Sequence, residues 1–459
     1  MIIEMLGLPG AGKSTLSRLI AQRLAFAGIV VVEETYPRDH QRSRLRRAVE
    51  KLSKALLFCM REPNRAMSAV VLIGNSRQAT IFDWVGSLVN FLYLGEIYRR
   101  STDRSDVVLL EQEEFFGTGA TGRCAGGIRY QFSTEINIRL SLLSLPMLDR
   151  FEDELGQNIG IRRDGYLFIL TNERDVEVFR HNVELQRSLG VQTQWLSGDE
   201  VRRRVPQLVA GDVIAGAFHD RDGLADPNSV VMGYINGAKR LGVRAVTETG
   251  VSAIVTAGGK VVGVETTRGP IACEVVVNAA GPWAAPISAT AGVDLPIVPL
   301  RRQIMTTTPI PQIARDFPFV LDFAQSLYFH REGEGILTGQ SNPNELPGFD
   351  QSVDPDWELT HMEAAVARLP LLGNAGRMSH WAGLYEVTPD AHPILGGVPQ
   401  LGGYYVVAGF SGHGFMHGPG AGLLLSEMIL DGQASTLDVS SLAYTRFAEG
   451  RLIQEYNVV

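Results

Sequence analysis

With 459 residues, 45% hydrophobic and 20% charged, the chain has room for roughly two or three domains and a large core, and its composition is that of an ordinary globular protein. A formal net charge of −8 gives no general pull toward nucleic acid or an anionic membrane, so neither is an expected partner. Cys59, Cys124 and Cys273 stand far apart, with neither metal-ligand nor disulfide spacing, as suits a reducing interior.

The opening Met1-Ile2-Ile3-Glu4 has an acid where a signal peptide carries its basic region. The apolar stretch 81–94 contains Asp83 and Asn90 and is too short to cross a bilayer, so the expected location is cytoplasmic. Ile2–Leu6 reads as a short strand that runs into Gly7-Leu8-Pro9-Gly10-Ala11-Gly12-Lys13-Ser14-Thr15, a full match to the phosphate-binding loop GxxxxGK[ST]. In such a loop glycines turn backbone N–H groups around phosphate oxygens, a lysine reaches the β and γ phosphates, and a hydroxyl holds magnesium. Leu16, Leu19, Ile20 and Leu24 then share one helical face. The rival dinucleotide pattern GxGxxG has Gly7 and Gly12 but meets Pro9 where its second glycine belongs. Gly7, Gly10, Gly12, Lys13, Ser14 and Thr15 are therefore candidate ligands of ATP, with Ser14 on Mg.

A second strand is expected over 29–34, followed by a basic amphipathic helix that carries Arg42, Arg44, Arg46, Arg47, Lys51 and Lys54. That helix reads as a solvated face or as a clamp for phosphate. Segment 1–106 resembles the start of P-loop kinases of the adenylate and thymidylate kinase type. The resemblance stops before any arginine-bearing lid or nucleoside-base motif.

The stretch 107–127, VVLLEQEEFFGTGATGRCAGG, organises the remainder of the chain. An uninterrupted apolar run at 107–110 is the pattern of a strand covered on both faces, and Glu111 closes it. An acid at that place holds an adenosine ribose in a dinucleotide fold or a magnesium ion in an NTPase, or is simply solvated. Further on, 243–246, 251–255 and 261–265 alternate with turn residues as a meander does, and 275–283, VVVNAAGPW, is a strand with a glycine turn. Helices are expected over 172–189 and from the Asp226-Pro227 cap through Leu241. WAGLYEVTPDAHPILG at 381–396 and YYVVAGFSGHGFMHGPGAG at 404–422 complete the motifs.

Together with GTGATGRCAGGIRY at 117–130, these motifs resemble the D-amino-acid oxidase (DAO) family of FAD-dependent oxidoreductases, in particular sarcosine oxidase β subunits and related imino-acid dehydrogenases, over residues 107–459. The resemblance implies an FAD site built from Glu111, Gly119, Ala120, Thr121, Arg123, Gly126, Gly127, Val251, Gly281, Trp283, Gly412, His413, Gly414, Phe415 and Met416. It implies Arg129 and His413 as catalytic residues, and Arg129, Arg302, Tyr328 and Tyr385 around the substrate, with Arg331 and His392 as further cleft candidates. Taken alone, Arg129 also reads as a plain arginine and Val251 as core. Cys124 and His413 are conceivable covalent anchors of the flavin. Met416 stands where some relatives carry an oxygen-activating lysine.

The expected fold class is α/β: a Rossmann-like FAD-binding domain of glutathione-reductase type, an α+β substrate domain on an antiparallel sheet, and a P-loop βαβ segment at the N-terminus. The expected domains are 1–106, then 107–133 with 225–295 and 381–459, and 134–224 with 296–380. The implied reaction oxidises the C–N bond of a small amino or imino acid of sarcosine, glycine or proline type by hydride transfer to flavin, with other subunits as partners. The alternatives are a kinase-like ATP-binding module, or a chimeric chain joined at VVLLEQ without activity. Because the P-loop segment takes the place of the family's GxGxxG unit, Ile2–Leu6 is expected to pair directly beside 107–110.

Overall fold

The computed structural model describes residues 2–6, as backbone, and 106–458. Two sheets organise these residues. The first has six strands in the order Ile394–Gly397, Tyr404–Ala408, Val275–Asn278, Ile2–Leu6, Asp106–Leu110 and Arg244–Val246. All pairings in it are parallel except that of Ile394–Gly397 with Tyr404–Ala408. Ile2–Leu6 lies at its centre, with Ile3 opposite both Val107 and Val275, as the sequence led us to expect.

The apolar run after Asp106 is explained by its surroundings. Val107 and Leu109 point into one core, with Ile235 and Leu424 from the helices Pro227–Arg240 and Gly414–Asp431. Val108 and Leu110 point into a second core, with Ile254 and Val264 from a three-stranded meander. Alternate residues of a strand face opposite ways, so a strand covered on both sides has no polar positions to spare. The meander itself corrects the expectation. Arg244–Val246 joins the parallel sheet at its edge, and the meander consists of Val251–Ala257, Lys260–Thr266 and Gly269–Ala272. An alternating pattern marks a strand without naming its partner.

The second sheet has eight strands in the order Arg377–Val387, Val298–Thr307, Gly335–Gln340, Leu327–Glu332, Phe319–Asp322, Tyr166–Leu170, Ala215–His219 and Gln194–Ser197. It is mixed rather than antiparallel, because Phe319–Asp322 and Tyr166–Leu170 pair parallel while their other neighbours run antiparallel. Side-chain caps start a helix on each sheet. Asn172 accepts from the Asp175 N–H at 3.0 Å and starts Glu173–Ser188, and Asp226 accepts from the Ser229 N–H at 2.7 Å and starts Pro227–Arg240.

Two buried devices hold the region where the sheets meet. Pro419 lies inside Gly414–Asp431 and removes one helical hydrogen bond. Ser144 of the neighbouring helix Glu135–Asp149 mends the gap: its Oγ accepts from the Gly420 N–H at 2.8 Å and donates to the His417 carbonyl at 3.2 Å. The Thr-Pro-Asp segment is fixed by a fully buried ion pair, with Arg446 Nε 2.8 Å and Nη2 2.9 Å from the two carboxylate oxygens of Asp390. Glu455, also buried, accepts from Ser133, Thr134, Asn137 and the Asn457 N–H.

His361 of the helix Pro355–Arg368 lies 2.9 Å from Thr338 Oγ1, and burial lowers its pKa to about 4. A histidine with a depressed folded pKa contributes stability that is complete above its ordinary pKa and is lost as pH falls toward the folded value. Between pH 7 and 4.5 the loss comes to roughly 2 kcal/mol. In urea unfolding His361→Gln should therefore lose less stability than the parent over that range, by about this amount; equal losses in both proteins would overturn the assignment.

Candidate active site

A cleft opens between the ends of the two sheets, and three tyrosines form much of its wall: Tyr166, Tyr328 and Tyr385. Each is seated where a glycine leaves room. A Cβ on Gly127 would fall 1.9 Å from the Tyr166 hydroxyl, one on Gly339 would fall 2.2 Å from that of Tyr328, and one on Gly412 would fall 2.5 Å from the Tyr385 ring. Phe319 lies between the first two, with its ring stacked 4.0 Å from Tyr166 and 5.5 Å from Tyr328. Burial pushes the hydroxyls of Tyr166 and Tyr328 well above the usual tyrosine range and raises that of Tyr385, so all three are neutral.

Besides Arg123 of the loop 117–127, two arginines line this cleft, and their surroundings differ. Arg129 is buried; it donates to the carbonyls of Gln131 and Asn457, the latter at 2.6 Å, and its charge lies 4.1 Å from the Phe132 ring centre. Arg302 is partly buried, with its charge 5.2 Å from the Tyr385 ring centre. Its Nη1 donates to the Arg301 carbonyl, and its buried Nε has no partner among the described residues. Alternation along the strand Val298–Thr307 explains why Arg302 faces the cleft while Arg301 pairs with Glu345 and Asp350 on the other side. Burial lowers the pKa of Arg129 and Arg302, yet a guanidinium stays charged at neutral pH.

The wall of the cleft is completed by two turns. The loop 117–127 supplies Ala120, Arg123, Gly126 and Gly127, and folds so tightly that a Cβ on Gly122 would meet the Gly117 carbonyl oxygen at 1.7 Å. Arg123 is spent on structure: it donates to the carbonyls of Thr118 and Ala382 at 3.0 and 2.8 Å. Opposite, Gly412, His413, Phe415 and Met416 line the cleft at the start of Gly414–Asp431, where the first N–H groups of a helix have no helical partner. His413 is buried with Nε2 3.4 Å from Arg129 Nη2, and its Nδ1 has no partner among the described residues. Burial first, then the Arg129 charge, holds His413 well below the usual histidine range, so it is neutral.

These groups fit FAD. Glu111 is fully buried at the end of the strand beside Ile2–Leu6, where such sheets hold an adenosine ribose. Its main-chain oxygen accepts from the Thr249 N–H at 2.8 Å, and Val251, two residues on, packs against the core that holds Leu110. Gly281 and Trp283 follow Val275–Asn278 in a short 3-10 turn. Gly412 and His413 line the cleft at the N-terminus of Gly414–Asp431.

Several sequence candidates take other places. Arg331 faces away from the cleft, since Tyr328 and His330 occupy the opposite face of Leu327–Glu332. His392 is buried among structural partners, 2.9 Å from Thr134 Oγ1 and 2.8 Å from the Asp390 carbonyl oxygen. Cys124 lines the cleft, but burial pushes its thiol up to about 12, which keeps it protonated at neutral pH. Gly7, Gly10, Gly12, Lys13, Ser14 and Thr15, with the second strand and the basic helix, lie outside the described residues. Tyr166 is a cleft residue that sequence reasoning missed. It opens the apolar run YLFIL, which carries a signal for burial and none for the site.

Comparison with known proteins agrees with this geometry. Residues 93–428 match the family model described as FAD dependent oxidoreductase. Mitochondrial dimethylglycine dehydrogenase of Rattus norvegicus is 29% identical over 72% of this chain and 40% of its own length. Mitochondrial sarcosine dehydrogenase of Homo sapiens is 30% identical over 72% of this chain and 37% of its own. The matched part is thus less than half of each relative. Among solved structures, L-proline dehydrogenase from P. horikoshii superposes with a TM-score of 0.74 at 27% identity, covering 98% of both chains. The chain belongs to the family of FAD-dependent oxidoreductases that this model describes.

Proposed function

We propose that this oxidoreductase acts on the C–N bond of a small amino or imino acid of sarcosine, glycine or proline type, and that Arg302 binds the substrate carboxylate. The observation that carries the reading is the unpartnered Nε of Arg302 in a cleft walled by neutral tyrosines. A guanidinium with free N–H groups suits a planar carboxylate, which it can hold through two hydrogen bonds. Arg129, the other arginine expected at the substrate, has its donors directed to backbone carbonyls, so its part is to supply positive charge. The relatives' names, dehydrogenases of dimethylglycine, sarcosine and L-proline, all denote amino acids with a carboxylate close to the reacting nitrogen.

FAD, when bound, supplies the two-electron oxidation, accepting hydride at its N5. The chain's own residues bind and orient. Arg302 fixes one end of the substrate, while Ile304, Phe319 and Leu384 exclude water around the other. Among the described residues lining the cleft there is no Asp, Glu or Lys, and His413 is held neutral. The substrate amine therefore has to enter the cleft unprotonated, its proton left with solvent. Arg129 carries no salt bridge among the described residues, so its charge favours an anion in the cleft. His413 and the N-terminus of Gly414–Asp431 line the same cleft.

A second reading concerns the other end of the chain. The phosphate-binding motif at Gly7–Thr15 follows the central strand directly in sequence, and the motif alone supports binding of ATP with magnesium, with Lys13 on the phosphates. It predicts magnesium-dependent ATP binding by the purified chain that Lys13→Ala abolishes; FAD binding without any ATP binding would remove it.

For the main reading, the purified chain should show paired flavin absorbance bands between about 300 and 550 nm that bleach with sarcosine, glycine or proline under anaerobic conditions. A colourless chain that FAD does not reconstitute would overturn it. Arg302→Met should lower kcat/KM for such a substrate by roughly ten- to a hundredfold. It should leave the flavin spectrum intact and spare an amine that lacks the carboxylate; equal losses on both compounds would remove Arg302 from the carboxylate role.

A further inference from the structure

One buried acid near the cleft takes no part in holding the substrate. Glu386 follows Tyr385 on Arg377–Val387, so its side chain points away from the tyrosine wall and toward the strand ends of the six-stranded sheet. Its Oε1 accepts from the Phe410 N–H at 3.2 Å, and its main-chain oxygen accepts from the Ser411 N–H at 3.1 Å. Its Oε2 is buried with no partner among the described residues, and lies 2.7 Å from where a side chain on Gly281 would begin. Other buried acids here are better served: Asp390 has Arg446, Asp222 accepts from Tyr130 and Gln131, and Glu455 has several donors. A buried carboxyl oxygen left without a donor is a costly arrangement that a bound group with an O–H or N–H would relieve.

The position of that oxygen indicates what fills the gap. Gly281 and Phe410–Ser411 follow Val275–Asn278 and Tyr404–Ala408, the two nearest strands on one side of Ile2–Leu6. Glu111 ends the strand on the other side. In an open parallel sheet a dinucleotide lies across the carboxyl ends of the strands. With the adenosine ribose at Glu111, the rest of FAD has to run over the turns at Gly281 and Phe410 to reach the tyrosine-lined cleft. The group in that part of FAD that offers O–H donors is the ribityl chain. Gly281, with φ +56°, is held in a conformation that glycine adopts freely, and the absence of a side chain keeps the space beside Oε2 open.

We propose that Glu386 is a cofactor-binding residue whose Oε2 takes a hydrogen bond from a ribityl hydroxyl of FAD. The inference rests on the FAD reading of the cleft. It ties the cofactor to the strand that carries Tyr385. Burial raises the Glu386 carboxyl to about 7, and a hydroxyl is the partner that tolerates both states, since it donates to a carboxylate and accepts from a carboxylic acid.

The test uses the full chain and FAD analogues that each lack one ribityl hydroxyl, with affinity read from quenching of flavin fluorescence on binding. On the unaltered chain, one analogue should bind about ten- to a hundredfold more weakly than FAD. Glu386→Ala should lose a similar factor for FAD itself and show no further loss with that analogue. Glu386→Gln, which keeps an acceptor for the Phe410 N–H and can donate to the hydroxyl, should restore most of the affinity. If the unaltered chain binds FAD and all analogues alike, or if Glu386→Ala loses as much again with the critical analogue, Glu386 is not the partner and the FAD reading stands alone. If the unaltered chain binds no FAD, both readings fall. The analogue series on the unaltered chain decides the matter even where Glu386→Ala does not fold.

Discussion

The last three residues of Arg377–Val387 hold the molecule's two halves in register. The strand belongs to the eight-stranded sheet through its long pairing with Val298–Thr307. Its end is hydrogen-bonded to the other sheet, where the Ser411 N–H meets the Glu386 carbonyl and the Thr388 N–H meets Ser411 Oγ at 3.2 Å. Tyr385 is seated on Gly412 of that same turn. Beyond it, Asp390 is locked to Arg446 in the interior, where breaking one partner of such a pair costs about 3–5 kcal/mol. The wall of the cleft and the turn behind it therefore form one rigid piece, and a shift in one sheet is passed to the other through side chains with no slack.

That rigidity shapes the electrostatics. The cleft is lined by Arg123, Arg129 and Arg302 and by three neutral phenols, with no lining carboxylate among the described residues. A positive charge about 4 Å from an anion is worth about 4 kcal/mol at an effective dielectric of 20, and far less in water. Burial of the tyrosines and of His413 keeps the dielectric low and keeps their charges at zero, so the arginines alone set the sign of the field. Phe132 and Phe168, whose ring centres lie 4.1 and 5.4 Å from the Arg129 guanidinium, let that charge stay buried without an acid beside it.

Much of this was legible in the chain. The run at 107–110 announced a strand covered on both faces, the caps Asn172 and Asp226 announced their helices, and the motif at 404–422 announced a turn that faces a ligand. The identity of each neighbour was not legible, because pairing is decided by residues hundreds of positions away. Arg244–Val246 and Gly269–Ala272 have the same local character, yet one extends the parallel sheet and the other closes the meander. The roles of Arg129 and Arg302 were likewise indistinguishable in the sequence. They separate only in space, where backbone carbonyls take up the donors of the first and leave the Nε of the second open. Tyr166 and Glu386 sat inside runs whose burial explained them sufficiently, so nothing marked their polar atoms.

The central position of Ile2–Leu6 also governs how the molecule comes together. Ile3 pairs with Val107 on one side and Val275 on the other. On the ribosome the central strand is thus made before both neighbours and finds its second only on the order of tens of seconds later at ordinary elongation rates. Until then Val275–Asn278 cannot take its place beside it, and neither can Tyr404–Ala408, which pairs next in line. The parallel sheet closes late and all at once, through contacts of long sequence separation, which places it among the slow-folding topologies. A strand synthesised before both of its neighbours is thus among the last to be settled in the fold.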